Sequence, residues 1–342
     1  MPNTTKYGDI TTRTAGYAVK RLLKRGQPDM VTERFGQKDP HPKNNSTTRK
    51  YRRYKSLAPA IAPLAEGVTP AGQKLRHEDV VINLEQYGDV VEITDVILDT
   101  HEDAVLQESV DLCGEQMAQT VELLRLHFLK GGTNVGYAAG VTARASVNSP
   151  ATAGDLRVAV RAMRRNKGQM ISQIISATPN VGTEPVGAAY FAIGHTDLAS
   201  DIRDIAGFVP VENYSNHMKA LPTEIGKVED IRFVLTNQFE PWLAAGASGT
   251  TYLSNGIAPS GAASADVYPL VILARDAYAI CPMQADKKTG YMPVTPAVVN
   301  PKPTHGDALA QKGFVSWKTW QGGGILNQLW CYRLEVACTA NP

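Results

Sequence analysis

The strongest pattern in the chain runs from Asp99 to Lys130. Leu106, Val110, Cys113, Met117, Val121, Leu124 and Phe128 recur at steps of four, three, four, four, three and four. That period gathers seven apolar side chains on one stripe of a helix. Asp99 or Thr100 can cap its start, and Gly131-Gly132 stops it. At about 1.5 Å per residue the rod is roughly 45 Å long, more than the ~30 Å of a small domain. Two strand signals precede it, Val80-Val81-Ile82 and Val90-Val91-Glu92-Ile93, flanking a turn-like Gly88-Asp89. Beyond it, Thr152 and Asp155 have capping-box spacing and predict a helix from Asp155 to Lys167, closed by Gly168. Asp197 to Ala206 reads as helical. Ile231, Phe233 and Leu235 alternate as in a half-buried strand, and Pro269 to Leu273 is a short apolar run, as in a buried strand. Trp330, Tyr332, Leu334, Val336 and Cys338 share one face of a further strand.

Ahead of these elements the pattern changes. One short helix is predicted from Ala15 to Arg25, marked by Tyr17, Ala18 and Leu22 and ended by Gly26 and Pro28. It is too short to stand alone in water. Residues 36 to 77 follow no helical period and are broken by Gly36, Pro40, Pro42, Pro59, Pro63, Gly67, Pro70 and Gly72. Among them lies a basic and aromatic run, Arg49-Lys50-Tyr51-Arg52-Arg53-Tyr54-Lys55. Ordered loops rarely exceed about 15 residues. A segment of this length therefore predicts a projection that meets its partners on another chain.

Charge sharpens this division. Residues 1–77 hold 16 Lys and Arg against 5 Asp and Glu, whereas the rest hold 19 against 28, so the overall +2 conceals a basic front and an acidic body. Such a front suits nucleic acid or the acidic body of a second copy. With 43% hydrophobic and 20% charged residues, the composition is that of a folded protein. No apolar run approaches the roughly 18 residues that span a bilayer, and the first residues lack the apolar centre of a secretory signal.

Motifs for chemistry are scarce. The four cysteines, Cys113, Cys281, Cys331 and Cys338, have no CxxC spacing and read as buried small side chains. Gly132, Gly136 and Gly140 lack the lysine of a phosphate-binding loop and read as a flexible connection. The seven histidines never fall at i, i+4, and His195 with Asp197 reads as a helix-opening turn. The basic face of the second helix, Arg157, Arg161, Arg164 and Arg165, reads as a solvated or interface surface. Neither a metal, a cofactor nor a catalytic group is expected.

Particular strings then point to a family. Phe35-Gly36-Gln37, Arg52-Arg53-Tyr54 and Leu64-Ala65-Glu66-Gly67-Val68-Thr69-Pro70 come first. Gln86-Tyr87-Gly88-Asp89-Val90-Val91-Glu92-Ile93-Thr94-Asp95 follows, then Glu224-Ile225-Gly226-Lys227-Val228-Glu229 with Thr236-Asn237. The last are Lys312-Gly313-Phe314-Val315-Ser316-Trp317-Lys318, Ile325 to Trp330, and Arg333-Leu334-Glu335-Val336. In this order they resemble the N4-like family of tailed-phage major capsid proteins, which has an α+β, HK97-like fold.

The resemblance implies an N-terminal arm over 1–38 and an extended E-loop over 39–98. It implies a peripheral domain over 99–187 and 286–342 with a spine helix at 99–131, and an axial domain over 188–285. It implies self-assembly into hexamers and pentamers of an icosahedral virion shell, built in the host cytoplasm, with no membrane. Further partners are nonspecifically contacted double-stranded DNA, a portal protein, and separate scaffold or decoration proteins. The absence of a long segment before residue 15 makes a scaffold a separate protein in this reading. An encapsulin-like compartment shell, a nucleic-acid-binding module and a hydrolase are the competing classes. Within the shell reading, Arg49, Arg52, Arg53 and Lys55 are expected to lie over Glu102, Asp103, Glu108, Asp111 and Glu115 of a neighbour.

Overall fold

A computed structural model describes residues 30–61, 63, 66–67, 69–70, 72–100, 105–175, 183–214, 220–221, 223–249, 251–257, 263–283, 294–299, 309 and 311–340. In chain order these form β1 (Gln37–Lys38), β2 (Thr48–Tyr54), β3 (His77–Asn83), β4 (Glu85–Thr94), α1 (Asp95–Thr100), α2 (Val105–Lys130), β5 (Val135–Tyr137) and α3 (Ala153–Arg165). Then come β6 (Ile171–Ile175), β7 (Thr183–His195), α4 (Ala199–Arg203), β8 (Phe208–Pro210), β9 (Glu224–Val228), β10 (Ile231–Thr236) and β11 (Val267–Leu273). The last are β12 (Tyr278–Ile280), β13 (Val294–Val299), β14 (Lys312–Gln321), β15 (Gly323–Ile325) and β16 (Cys331–Ala337).

The main sheet has the order β5-β16-β11-β7-β10-β9-β8, with β6 also paired to β7. Its central strands β10, β11 and β16 are buried at every residue, because both sides of the sheet are covered. On one side Tyr190, Phe233, Leu270, Ile272, Leu334 and Val336 pack with Leu156, Ala159 and Met163 of α3 and Ile202 of α4. On the other, Phe191, Ile193, Val234, Val271 and Leu273 pack with Leu126 and Leu129 of α2 and with Val31 and Phe35. The alternation of β11 thus fills two cores rather than one. Each such side chain contributes about 1.5–3 kcal/mol by leaving water. A separate sheet, β13-β14-β4, lays Ile93, Val315 and Trp317 against Cys113, with Met117 packed beside them.

Local signals worked where the cause is local. Thr152 caps α3, accepting from the Asp155 N–H at 3.3 Å, while Asp155 Oδ2 accepts from the Thr152 N–H at 3.1 Å. The run at Pro269 to Leu273 is β11. Tyr332, Leu334, Val336 and Cys338 do line one core, with Trp330 packed against it. His195 opens a helical turn, accepting the Asp197 N–H on Nδ1 at 3.1 Å. The four cysteines are free and buried.

Other expectations are corrected. The helix expected over 99–131 is described as α1, beginning at Asp95, and α2; residues 101–104 lie outside the described residues. At the start of α1, Asp95 Oδ1 accepts the Val96 N–H at 2.8 Å; the start of α2, for which the Asp99 or Thr100 cap is expected, lies outside the described residues. On α2, Cys113 and Val121 are buried, and Met117, Leu124 and Phe128 are half-buried. Toward its end the helix also buries Glu122, Arg125, Leu126 and Leu129. There it meets both the main sheet and residues 31–35, so its covered face widens. Gly88 is no turn: it lies within β4 opposite Lys318, where a Cβ would come 2.6 Å from the Trp317 carbonyl. Gly136 likewise sits in β5 rather than a flexible link, with Tyr332 where its side chain would be. β10, read as half-buried, is buried at every residue, because a core covers each face of the sheet: Phe233 and Leu235 enter one and Val234 the other. The helix expected at Ala15 to Arg25 lies outside the described residues.

Candidate assembly surface

The basic run lies on β2, paired antiparallel with β3 from Thr48–Asn83 to Tyr54–His77. The base of this hairpin is anchored. Ile82 and Leu84 are buried with Ala279 and Cys281, and Tyr51 and Val80 pack against them. The Tyr51 hydroxyl lies 3.2 Å from Asp39 Oδ2 and 2.9 Å from Cys281 Sγ. Burial pushes both the Tyr51 phenol and the Cys281 thiol up from their ordinary values. β1 ties this base to the body through its parallel pairing with β12.

Beyond the base the hairpin is exposed; Arg49 pairs with Asp39 at the base, and the other charges of the basic run pair with β3. Arg49 meets Asp39 at 2.5 Å, Arg52 and Lys50 meet Asp79 at 2.8 Å each, and Arg53 meets Glu78 at 3.0 Å. Lys55 lies 3.8 Å from Glu78. Hydrogen bonds from Arg52 and Lys50 hold the Asp79 carboxyl well below the usual carboxylate range. The Lys55 N–H bonds the Arg76 carbonyl at 2.8 Å, and no further strand pairing is described between them. The described residues from 55 to 76 are all exposed. Three are large and apolar: Leu57 is 52%, Ile61 87% and Leu75 63% exposed. These three leave apolar surface uncovered on the single chain. Residues 31–41, by contrast, dock on their own chain.

Of the acids expected opposite the basic run, Glu108 and Glu115 are half-buried on α2 and Asp111 is exposed. Glu102 and Asp103 lie outside the described residues. The structure brings Arg49, Arg52, Arg53 and Lys55 together on one hairpin and gives them Asp39, Glu78 and Asp79 as neighbours. Sequence reasoning missed these acids. Glu78 and Asp79 stand directly before the apolar Val80-Val81-Ile82, where pairing with the basic run was the available signal. The frame behind α2 is polar as well as apolar. Trp317 Nε1 donates to Gln116 Oε1 at 3.1 Å, and Gln116 Nε2 to Asp89 at 2.6 Å. Among the described residues, no group of three or more His, Cys, Asp or Glu could hold a metal ion, and no helix is long and apolar enough to cross a membrane.

The family described as phage capsid protein matches residues 78–277, more than half of the chain. The chain belongs to this family. It is a major capsid protein, a structural component of a phage shell. Its fold is the HK97-like capsid fold. The capsid of Ralstonia phage GP4 matches with a TM-score of 0.67 at 11% identity, covering 100% of both chains. The capsid of cyanophage Pam1 matches with 0.59 at 12% identity over 100% of this chain and 99% of that one. That of cyanophage P-SCSP1u matches with 0.58 at 14% identity over 99% and 97%. No curated protein matches. Such distant identities with full coverage mean that the arrangement of elements persists while most side chains differ. The hairpin, the helix α2 and the sheet behind it are thus parts of a major capsid protein.

Proposed function

We propose that this major capsid protein assembles as pentamers and hexamers of an icosahedral shell around double-stranded phage DNA, with the β2–β3 hairpin of each subunit seated on its neighbour. The observation that carries this reading is the bare apolar tip beyond an anchored base. We assign the chain to the N4-like branch on the strings quoted above. Its part is mechanical rather than enzymatic. Nonspecific contact with packaged DNA, a portal protein, and scaffold or decoration proteins complete the partners, with assembly in the host cytoplasm. α2 with β13 and β14 forms the heart of the proposed peripheral domain (99–187 and 286–342), and β4 of the proposed E-loop segment (39–98) pairs with its β14. β7, β9, β10 and β11 form that of the axial domain (188–285), and pairing of β11 to β16 joins the two.

The neighbour's α2, with Glu108, Asp111 and Glu115, is the proposed seat of Arg49, Arg52, Arg53 and Lys55; Glu102 and Asp103 belong to the same acidic stretch. Exposed pairs contribute at most about 1 kcal/mol each, so they set register while the apolar tip supplies affinity. Repetition by symmetry makes weak single contacts sufficient. The test replaces residues 57–74 with an Asn-Gly turn, which closes a two-residue hairpin. Folded subunits that stay small in size-exclusion chromatography are expected. Shells of normal form in electron micrographs are the outcome that defeats the reading.

A further inference from the structure

A demanding polar arrangement lies away from the hairpin, where the N-terminal arm meets α2. Residues Thr32–Arg34 form one 3-10 turn, and Val31 at its start has no side-chain cap of its own. Backbone donors at the start of a helical turn need acceptors when buried. Val31 and Thr32 are buried, 1% and 0% exposed. Glu122 meets this need from 90 residues further along the chain. Its Oε1 accepts the N–H of Val31 at 3.2 Å and of Thr32 at 3.0 Å, and its Oε2 accepts the Thr32 hydroxyl at 2.6 Å.

The surroundings complete the clasp. The Tyr278 hydroxyl of β12 donates to the Thr32 carbonyl. Glu33 bonds Lys38 at 2.8 Å and lies 3.8 Å from Arg125, which sits one turn after Glu122 on α2. Phe35 stacks on Phe191 with ring centroids 4.5 Å apart.

An apolar contact resists separation but tolerates rotation. One carboxylate holding three donors from two consecutive residues fixes the peptide in both place and direction, because hydrogen bonds weaken steeply off axis. The chain from Met30 toward residue 1 starts from that peptide. The same helix carries Gln116 and Cys113, which hold the sheet that continues into the hairpin. The turn at residues 31–35 and the base of the hairpin are thus referenced to one rod. We propose that Glu122 is a positioning residue for shell assembly, fixing the place and direction of the Val31–Thr32 peptide against α2. The inference takes the shell role from the family and does not depend on where the hairpin seats.

The test compares Glu122→Ala, Glu122→Gln and Thr32→Val with Met163→Ala, which empties a fully buried site of α3 on the other side of the main sheet. Hydrogen exchange reads local release, and electron microscopy reads the particles. In Glu122→Ala the amides of Val31 and Thr32 are expected to exchange at least tenfold faster while β10 and β11 keep their protection. Its particles are expected to vary in size or remain open. Glu122→Gln keeps the shape and one acceptor and is expected to give a severalfold increase. Thr32→Val keeps both N–H bonds and loses the hydroxyl, with a smaller increase. If Glu122→Ala is insoluble, the last two carry the test. Met163→Ala is expected to lose stability yet build uniform particles. Unchanged exchange at Val31 and Thr32 in Glu122→Gln overturns the proposal. So do uniform shells built from subunits whose arm amides are released, or the same malformed particles from Met163→Ala.

Discussion

Glu335 lies fully buried between two guanidiniums. Arg144 reaches both of its oxygens at 2.7 and 2.8 Å, and Arg333 Nε meets Oε1 at 3.0 Å. Arg144 in turn lies over the Trp242 ring, 3.7 Å from its centroid. Removing the carboxylate leaves two cations with no acid between them. Glu335→Ala is expected to cost about 3–5 kcal/mol, read as a lower urea midpoint. Glu122 gives a pH signature. Burial raises its carboxyl above the ordinary value, against the bonds from Thr32 and Val31 and the charge of Arg125; Glu33, Lys38 and Tyr278 also stand around the clasp. Between the unfolded and the raised folded value, the native state holds a proton that the unfolded chain has lost. Stability therefore falls as pH rises through that window. Wild-type denaturation midpoints are expected to drop across it, with Glu122→Gln showing a flatter profile. Such residues were hidden in the sequence because their partners are remote: Arg144 and Glu335 are 191 residues apart. The Thr152–Asp155 box was legible because both members sit in one turn.

At the scale of elements, the period of α2 was plain, and it predicts which substitutions the helix tolerates. Val121 is 1% exposed and Leu123 41%. Val121→Asp buries an unpaired charge and is expected to abolish soluble folded subunit. Leu123→Asp is expected to fold, as circular dichroism and solubility will report. Period alone misled where two elements share a surface. The stripe through Leu124 and Phe128 missed Leu126 and Leu129, which a second layer covers. Gly88-Asp89 mimicked a turn, since a strand glycine made necessary by a neighbouring backbone has the same local appearance as a turn glycine. β10 looked half-buried because Arg232 alternates with its apolar residues. That arginine is enclosed by a bidentate pair to Glu224 at 2.7 and 2.5 Å, which no alternation rule anticipates.

On the scale of the whole molecule, the separation of a basic, punctuated front from an acidic body was readable from charge and composition. The docking of residues 31–41 onto their own chain was not readable, because β1 is two residues long and pairs with a strand some 240 residues away. The order of strands was equally silent: β16 lies between β5 and β11, although it follows both in the chain. That placement has a cost in time. While the ribosome is still working toward residue 331, β11 has an open, wholly apolar flank with unpaired amides. Newly made chains pass through a sticky interval at roughly 5–20 residues per second. Until β16 arrives, that edge is open to strands of other chains, so the last strand made is the one that seals the interior of the sheet.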